Sequence, residues 1–319
     1  MRKILALLLA LLMAVTVIGC GKLQKHNKLT VVCTVFPVYD WVRQVVGECD
    51  TVEPILLVQD GTDLHSYQPK AADMVTLASC DLIVRLGGTS EVWVEEALKQ
   101  QTASTREELI LSALPTVTLR QISAGSVAQH GHEEEHAHHG ETDEHLWLSL
   151  GNAAACVEAI ADSLCELDAA HAEQFRANAL AYTEALGALD ARYRAEIATV
   201  EAPRLVVADR FPFVYLTEDY GIEYVAAFEG CTTDTDADFS TVVRLAQALD
   251  DWQSGAVLVT ESADLSLADS VLAASKNPHR EIVSMDSLQS VTATDLEAGV
   301  TYLARMEENL DGLMRALAP

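Results

Sequence analysis

Basic residues are scarce in this chain, which carries 21 Lys and Arg against 48 Asp and Glu and a formal net charge of −27. Such a charge argues against binding to nucleic acid and against electrostatic docking on anionic lipid. It favours cations near the surface, although salt screens that attraction. With 319 residues and a hydrophobic fraction of 50%, the chain is long and apolar enough for two folded domains.

Metal and redox motifs that rest on cysteine are also missing. The chain contains no C-x-x-C, which argues against a zinc ribbon or a thioredoxin-type site. Its one H-E-x-x-H match, residues 132–136, lies in a glycine-containing stretch without helical periodicity, whereas a metalloprotease site needs this motif on a helix. Beyond Cys20 there are six cysteines, an even number that permits disulfides in an exported protein. Several of them lie in apolar stretches, where a free buried thiol is the default expectation.

Long apolar runs are limited to the N-terminus, where Arg2 and Lys3 precede the apolar segment 4–18. This segment is shorter than the roughly twenty residues that span a bilayer, so it predicts an export signal. The following residues 17–20, VIGC, look like a bacterial lipobox, whose cysteine is lipidated after cleavage. We expect a signal peptide at 1–20, a lipidated Cys20 and a tether at 21–28. The alternative is a plain signal peptide with an incidental cysteine.

From Leu29 onward, short apolar runs alternate with amphipathic ones, which predicts parallel α/β layers. Strands are predicted for LTVVCTV, TVEPILL, DLIVRL, RLVVA, IEYVAAF, AVLVTE and EIVSM. Residues 152–202 have helical spacing with a possible break near Asp168. We therefore expect an N-terminal α/β lobe at 29–151 and a C-terminal α/β lobe at 203–319, with parallel-type sheets flanked by helices and joined by one long helix.

A histidine-rich stretch at 125–142 interrupts the first lobe. It contains glycines and lacks apolar periodicity, which predicts a flexible loop. This accessory loop collects metal at low affinity, or it is a tolerated insertion without a role. Its histidines are His130, His132, His136, His138 and His139.

Polar side chains that follow the predicted strands are the candidate ligands, because ligands of open α/β sheets bind beyond the carboxyl ends of strands. Two imidazoles with added carboxylates suit zinc or manganese. Each carboxylate has an alternative role as the cap of the following helix. The candidates are His65 after TVEPILL, Asp209 after RLVVA, Glu261 after AVLVTE, Asp286 after EIVSM, and His145, where the apolar pattern resumes after the loop.

Two of these stretches resemble a known family. GTDLHSYQPKAAD resembles the motif G-x-x-x-H-x-Y-x-P-x-x-x-D of the zinc/manganese-binding lipoproteins of metal ABC importers, the cluster A-I family. DEHLWLSL resembles that family's D-P-H-x-W-L-x-P, which follows a histidine-rich loop in the zinc-binding branch. The resemblance covers nearly the whole chain from Leu29. It implies two α/β lobes bridged by a rigid long helix, with a divalent ion held between them.

The resemblance also implies a ligand set. His65 and His145 match its first two ligands, and Asp286 matches its fourth. The third position, five residues before Tyr215, holds Arg210, which cannot bind a metal. Either Asp209 moves in by a one-residue shift, or Arg210 pairs with a carboxylate and water completes the site. Glu261, Arg210 and Asp143 are expected to support the ligands.

The function expected from these observations is that of a lipid-anchored extracytoplasmic receptor, not an enzyme. It would capture zinc, or alternatively manganese, and deliver it to an ABC transporter permease. We expect a monomer that meets the membrane only through its anchor and binds no nucleic acid. Two alternatives are a secreted zinc-dependent hydrolase, with Glu261 or Glu144 as its base, and a surface adhesion protein that reuses the scaffold.

Overall fold

A computed structural model describes residues 28–99, 106–122, 142–228, 230–231 and 237–318. The expected signal peptide with Cys20, most of the tether, and the five loop histidines lie outside these residues. Within them, no helix combines the length and apolarity needed to cross a bilayer.

The first half of the chain forms a four-stranded parallel sheet in the order β2-β1-β3-β4. The strands are β1 (Leu29–Cys33), β2 (Val52–Leu56), β3 (Leu82–Arg85) and β4 (Glu107–Ile110). The helices between them are α1 (Phe36–Val46), α2 (Ala71–Ser79) and α3 (Val92–Lys99).

The central strands of this sheet are apolar on both faces because helices cover both faces. Val31 and Cys33 belong to the large core that also contains α1, whereas Val32 and Ile83 pack with Leu77 of α2 and residues of α3. This alternation follows from the two-residue period of a strand. Gly47 ends α1 in a positive-φ conformation (59°) that glycine adopts without strain.

The last third of the chain repeats the same strand order in a second parallel sheet, β6-β5-β7-β8. Its strands are β5 (Arg204–Val207), β6 (Glu223–Ala226), β7 (Ala256–Thr260) and β8 (Glu281–Met285). Two parallel sheets flanked by helices confirm the expected α/β class. In each sheet the strand order reverses beside the first strand, and ligand sites of open α/β sheets form at such points.

Two packed helices, α4 (Leu150–Leu167) and α5 (Ala172–Ile197), connect the sheets. The expected break near Asp168 is the turn between them, and α5 is the long helix that leads into the second sheet. The helices that follow are α6 (Val214–Tyr220), α7 (Phe239–Asp251), α8 (Ser266–Ala274), α9 (Ala293–Glu297) and α10 (Tyr302–Leu317).

The final helix α10 packs back across the molecule and joins the two halves. The backbone N–H of Tyr302 donates to Asp40 Oδ2 of α1 (2.9 Å), and its hydroxyl donates to the Trp147 carbonyl (2.6 Å). The indole of Trp147 in turn donates to the Ser287 carbonyl beyond β8 (2.8 Å). One cluster of buried side chains contains residues of both sheets and both connecting helices. The two halves are therefore held together by a shared core, which fixes the position of one sheet relative to the other on either side of the crevice.

Candidate metal centre

His65 lies in a short 3₁₀ turn, Leu64–Ser66, that begins eight residues after β2 ends. Asp63 caps this turn, because its Oδ1 accepts the His65 backbone N–H (2.9 Å), and the buried Leu64 anchors it in the core. The Nδ1 of His65 hydrogen-bonds with Ser90 Oγ (2.8 Å). With Nδ1 so engaged, Nε2 is the nitrogen that faces the crevice.

The rest of this motif holds the loop in place. The Tyr67 hydroxyl donates to Asp73 Oδ2 (2.6 Å), which also accepts the backbone N–H of Lys70 (2.5 Å). This explains the H-x-Y-x-P-x-x-x-D spacing: the tyrosine and the aspartate bind each other across the proline and fix the exit of the loop.

His145 is held more tightly than His65. It is 2% exposed and directly precedes the 3₁₀ turn Leu146–Leu148. One carboxylate oxygen, Asp143 Oδ1, accepts the backbone N–H of His145 (2.9 Å) and pairs with its Nδ1 (2.8 Å). The Tyr215 hydroxyl donates to the Asp143 carbonyl (2.8 Å) and so ties this turn to α6. Asp143 thus sets the orientation of the imidazole and leaves Nε2 free, as outer partners of metal-binding histidines commonly do.

Cys231 completes the cluster. The Nε2 atoms of His65 and His145 lie 3.3 Å apart, and Cys231 Sγ lies 3.2 Å from His145 Nε2. The three donor atoms all lie within 4.8 Å of one another. The segment that carries Cys231 is pinned by the Gly230 carbonyl, which accepts the backbone N–H of Phe211 (2.7 Å). A thiol from beyond β6 therefore meets two imidazoles from the first half of the chain.

The charges in the cluster favour a thiolate beside an imidazolium. Burial alone raises the pKa of the Cys231 thiol, but the adjacent His145 and His65 outweigh it and lower this pKa to about 7. Burial likewise lowers the pKa of His145, yet Cys231 and Asp143 raise it well above its usual value. Cys231 is thus prepared to bind a cation as the deprotonated thiolate that metals require.

The donor set fits zinc in both chemistry and spacing. Imidazole and thiolate are preferred zinc ligands, and zinc–ligand bonds of about 2.0 Å to nitrogen and 2.3 Å to sulfur place tetrahedral neighbours about 3.3–3.5 Å apart. The observed separations of 3.3 and 3.2 Å are close to that spacing. Three protein donors leave a fourth position open for water.

Arg210, which replaces the third ligand implied by the resemblance, does something else. Its guanidinium pairs with Asp63 Oδ2 at 3.1 Å and so links the loop after β5 to the loop that carries His65. Burial lowers the pKa of Arg210, but Asp63 and Cys231 raise it above its ordinary value. This ion pair matches the expected pairing of Arg210 with a carboxylate.

The structure does not bring Asp209 to the imidazoles. Its Oδ2 accepts both the backbone N–H of Thr260 (3.0 Å) and the Thr260 hydroxyl, and its Oδ1 accepts the Arg210 N–H (2.8 Å). These bonds join the ends of β5 and β7. The one-residue shift that would make Asp209 a ligand is not observed, because both of its oxygens satisfy local donors.

Asp286 also stands outside the cluster of donor atoms. Its Oδ1 accepts the Leu288 N–H (2.8 Å), and its Oδ2 lies 3.3 Å from Arg305 Nε. Burial and then the neighbouring Glu261 raise the pKa of Asp286 to about 6. Glu261 itself accepts the backbone N–H (2.9 Å) and the hydroxyl (2.7 Å) of Ser287. The carboxylates beyond β7 and β8 organise their own loops.

Sequence reasoning missed Cys231, although a signal for it exists. His65 was identified by the rule that ligands of open α/β sheets bind beyond the carboxyl ends of strands, which we call the strand-end rule. The same rule applies to β6, and Cys231 follows that strand by five residues. In the sequence, Cys231 is one of six cysteines that permit disulfides, and no motif distinguishes it from the others. The six cysteines beyond Cys20 are all free, which leaves no disulfide among them.

Comparisons with known proteins identify the family of the chain. The model of the ZnuA family, described as zinc-uptake complex component A, periplasmic, matches residues 31–316. The zinc-binding lipoprotein AdcA of Streptococcus pneumoniae is 33% identical over 314 residues, 98% of this chain. That alignment covers 60% of AdcA, so the chain spans about three fifths of the length of this relative.

Solved structures are similar as well. The Zn(II)-bound ZnuA-like domain of Streptococcus pneumoniae AdcA has a TM-score of 0.71 at 28% identity and covers 91% of this chain and 99% of that domain. The periplasmic zinc-binding protein TroA of Treponema pallidum has a TM-score of 0.72 at 25% identity, covering 92% of this chain and 100% of TroA.

Proposed function

The chain belongs to the zinc-uptake complex component A family, and from that premise we propose that it is an extracytoplasmic receptor that captures zinc between its two sheets. The observation that carries this proposal is the cluster of His65, His145 and Cys231, whose donor atoms lie within 4.8 Å of one another. Zn(II)-bound relatives with the same fold support it.

Zinc is favoured over manganese by the donor types. Manganese prefers carboxylate, carbonyl and water oxygens, whereas thiolate and imidazole suit zinc. Asp209 and Asp286, the carboxylates that would have admitted manganese, are bound to local N–H groups or to Arg305. The chain therefore selects zinc through a soft donor set.

Zinc capture requires little rearrangement of His145. His145 is buried and fixed by Asp143, while His65 and Cys231 are partly exposed and form the entry side. A bound ion displaces protons from its ligands. Zinc binding therefore removes the proton of the His145 imidazolium, and the ion is then bound by a neutral imidazole and by the Cys231 thiolate. Release would require the loops of His65 and Cys231 to separate. The Arg210–Asp63 ion pair joins the His65 loop to the residue before Phe211, whose N–H donates to the Gly230 carbonyl next to Cys231.

The partners follow from the family. We propose that the ion passes to an ABC-type permease and that Cys20 anchors the chain to the outer face of the cell membrane, in keeping with the lipoprotein AdcA. We further propose that the chain works as a monomer, with lobes at 29–151 and 203–319 and the connecting region at 152–202.

No catalytic step is part of this proposal. A zinc hydrolase would need a general base free to act on water at the open coordination position. Both oxygens of Glu261 are engaged by Ser287. Glu144 Oε1 accepts the Ser90 N–H (2.9 Å), and its Oε2 is buried without a hydrogen-bond partner among the described residues. No contact of the described residues specifically favours hydrolysis or adhesion.

Competitive zinc titration against a chelator of known affinity tests the proposal. The unaltered chain is expected to bind one zinc ion tightly, and His65→Ala is expected to weaken that binding by at least about tenfold because it removes one ligand. His279→Ala is the matched control, since this histidine is exposed and far in sequence from the cluster. Equal zinc affinities of His65→Ala and the control would overturn the proposed site.

A further inference from the structure

A second group of side chains of the types that ligate metals lies at the opposite end of β2 from His65. Cys49 and Thr51 directly precede β2, whereas His65 follows it, and β2 itself spans five residues. At a rise of about 3.3 Å per residue, the strand separates the two regions by more than about 15 Å. Any ion bound here would be distinct from the one held between the sheets.

The second group brings together two connections of the fold. Cys49 belongs to the connection between α1 and β2, whereas Asp168 ends α4 and His171 precedes α5. The Cys49 Sγ, an Asp168 carboxylate oxygen and a His171 ring nitrogen lie within 4.8 Å of one another. All three side chains are partly exposed, so an ion can reach them from solvent.

The Thr51 hydroxyl marks the centre of this group. Its Oγ1 lies 3.0 Å from Cys49 Sγ, 2.6 Å from Asp168 Oδ2 and 3.5 Å from His171 Nδ1. Asp168 Oδ2 and His171 Nδ1 are themselves 2.7 Å apart. Because one hydroxyl contacts all three donors, the donors converge on one small region next to Thr51.

We propose that Cys49, Asp168 and His171 form a second divalent metal site that takes zinc or another thiophilic ion. Thiolate, carboxylate and imidazole are three of the established zinc ligand types, and water supplies the fourth position. The ion replaces the hydrogen bond between Asp168 Oδ2 and His171 Nδ1, whose separation widens from 2.7 Å to about the 3.3 Å of tetrahedral neighbours. His171 then carries its proton on Nε2.

The exposure of the donors sets the expected strength of this site. The His171 side chain is 35% exposed and that of Asp168 is 14% exposed, whereas His145 is 2% exposed. The donors are held by contacts with the Thr51 hydroxyl and by a hydrogen bond from the Ala170 N–H to Asp168, and they are more exposed and therefore less preorganised than the donors between the sheets. The second site therefore binds more weakly than the first. Its ion ties the start of β2 to the turn between the connecting helices and stabilises the folded chain by mass action.

Cobalt titration of the Cys231→Ser chain tests this proposal without interference from the first site. Co²⁺ replaces Zn²⁺ in such sites, and a thiolate ligand produces a near-ultraviolet charge-transfer band that imidazole and carboxylate do not. Residues 125–142 contain no cysteine, so cobalt bound to the histidine-rich loop does not contribute to this absorption band. The proposal predicts a saturable band, its loss in Cys231→Ser/Cys49→Ser, and at least about tenfold weaker cobalt binding in Cys231→Ser/His171→Gln.

The nearby thiol of Cys165 supplies the matched control. Its Sγ donates to the Ala172 carbonyl (3.4 Å) beside the group but is not one of the three donors. Cys231→Ser/Cys165→Ser is expected to keep the band. Because His171 lies at a partly exposed helix start, the Gln variant is expected to fold, and circular dichroism checks this for every variant. Absence of the band in Cys231→Ser, its survival without Cys49, or unchanged affinity in the folded His171→Gln variant would overturn the proposal.

Discussion

The two halves of the molecule share a strand order but contribute unequally to the proposed zinc site. The first half supplies both imidazoles, and each has its second nitrogen fixed, by Ser90 for His65 and by Asp143 for His145. The second half supplies one thiol, while the carboxylates beyond its other strands are occupied elsewhere. The first half of the chain thus holds two imidazoles in fixed orientations, which we call the platform. The second half adds a single soft donor, the Cys231 thiol, as the third ligand.

The largest expected effect comes from the platform. His145→Ala removes the buried ligand that lies within 3.3 Å of both other donors and leaves Asp143 buried without its imidazole. We expect the zinc affinity to fall by more than about a hundredfold, beyond the usual effect of an outer partner. Competition with a chelator measures this loss. A decrease of threefold or less would show that the platform is not the main source of affinity.

The next effect tests whether preorganisation itself contributes. Asp143→Asn keeps the size of the side chain but weakens its pairing with His145 Nδ1 and removes its negative charge. We expect zinc affinity to fall by about 10- to 100-fold, as for other outer partners of metal-binding histidines. Calorimetry on the folded variant, with Asp264→Asn on the surface as the control, measures the difference. Identical affinities would mean that His145 needs no orienting partner.

The pH dependence should come mainly from the pair that joins the halves. The pKa of Cys231 is about 7 and that of His145 is raised, so the metal-free pair carries a proton on His145 that zinc must displace. Zinc affinity should therefore fall as pH falls, by about tenfold per unit where only His145 is protonated and by up to about a hundredfold per unit below pH 7, where Cys231 is protonated as well. In Cys231→Ser the thiolate no longer raises the pKa of His145, and the slope should be shallower. Equal slopes would contradict this coupling.

The smallest effect on binding is expected from the carboxylates of the second half. Asp209→Ala removes acceptors for Thr260 and for the Arg210 N–H, which should lower the free energy of unfolding by about 1–3 kcal/mol. Zinc affinity should change by less than about threefold, because neither Asp209 nor Asp286 stands in the cluster. Denaturant titration and zinc competition separate the two effects. A tenfold loss of affinity in Asp209→Ala or Asp286→Ala would restore these carboxylates as ligands.

The same contrast explains what the sequence could and could not predict. The histidine positions were predictable because short local motifs build their loops: Tyr67 binds Asp73 six residues away, and Asp143 binds His145 two residues away. Cys231 has no such motif. Its role depends on the approach of two sheets that are distant in sequence, which strand patterns do not report.

The predicted carboxylate ligands lie outside the cluster of donor atoms. Asp209 and Asp286 do follow strands as predicted, but the strand-end rule cannot tell a ligand from a side chain that satisfies nearby N–H groups. The edge strand β4 was missed for a related reason, since its first two residues, Glu107 and Glu108, are exposed and break the apolar pattern.

The central claim is that Cys231 is the third protein ligand of the zinc ion. X-ray absorption at the zinc edge of the one-to-one complex tests this claim most directly. The measurement is best made on the Cys49→Ser chain, so that the second group contributes no sulfur. The account predicts one sulfur at about 2.3 Å with nitrogen ligands at about 2.0 Å, and loss of the sulfur in Cys49→Ser/Cys231→Ser. A zinc ion surrounded only by nitrogen and oxygen in the Cys49→Ser chain would contradict it.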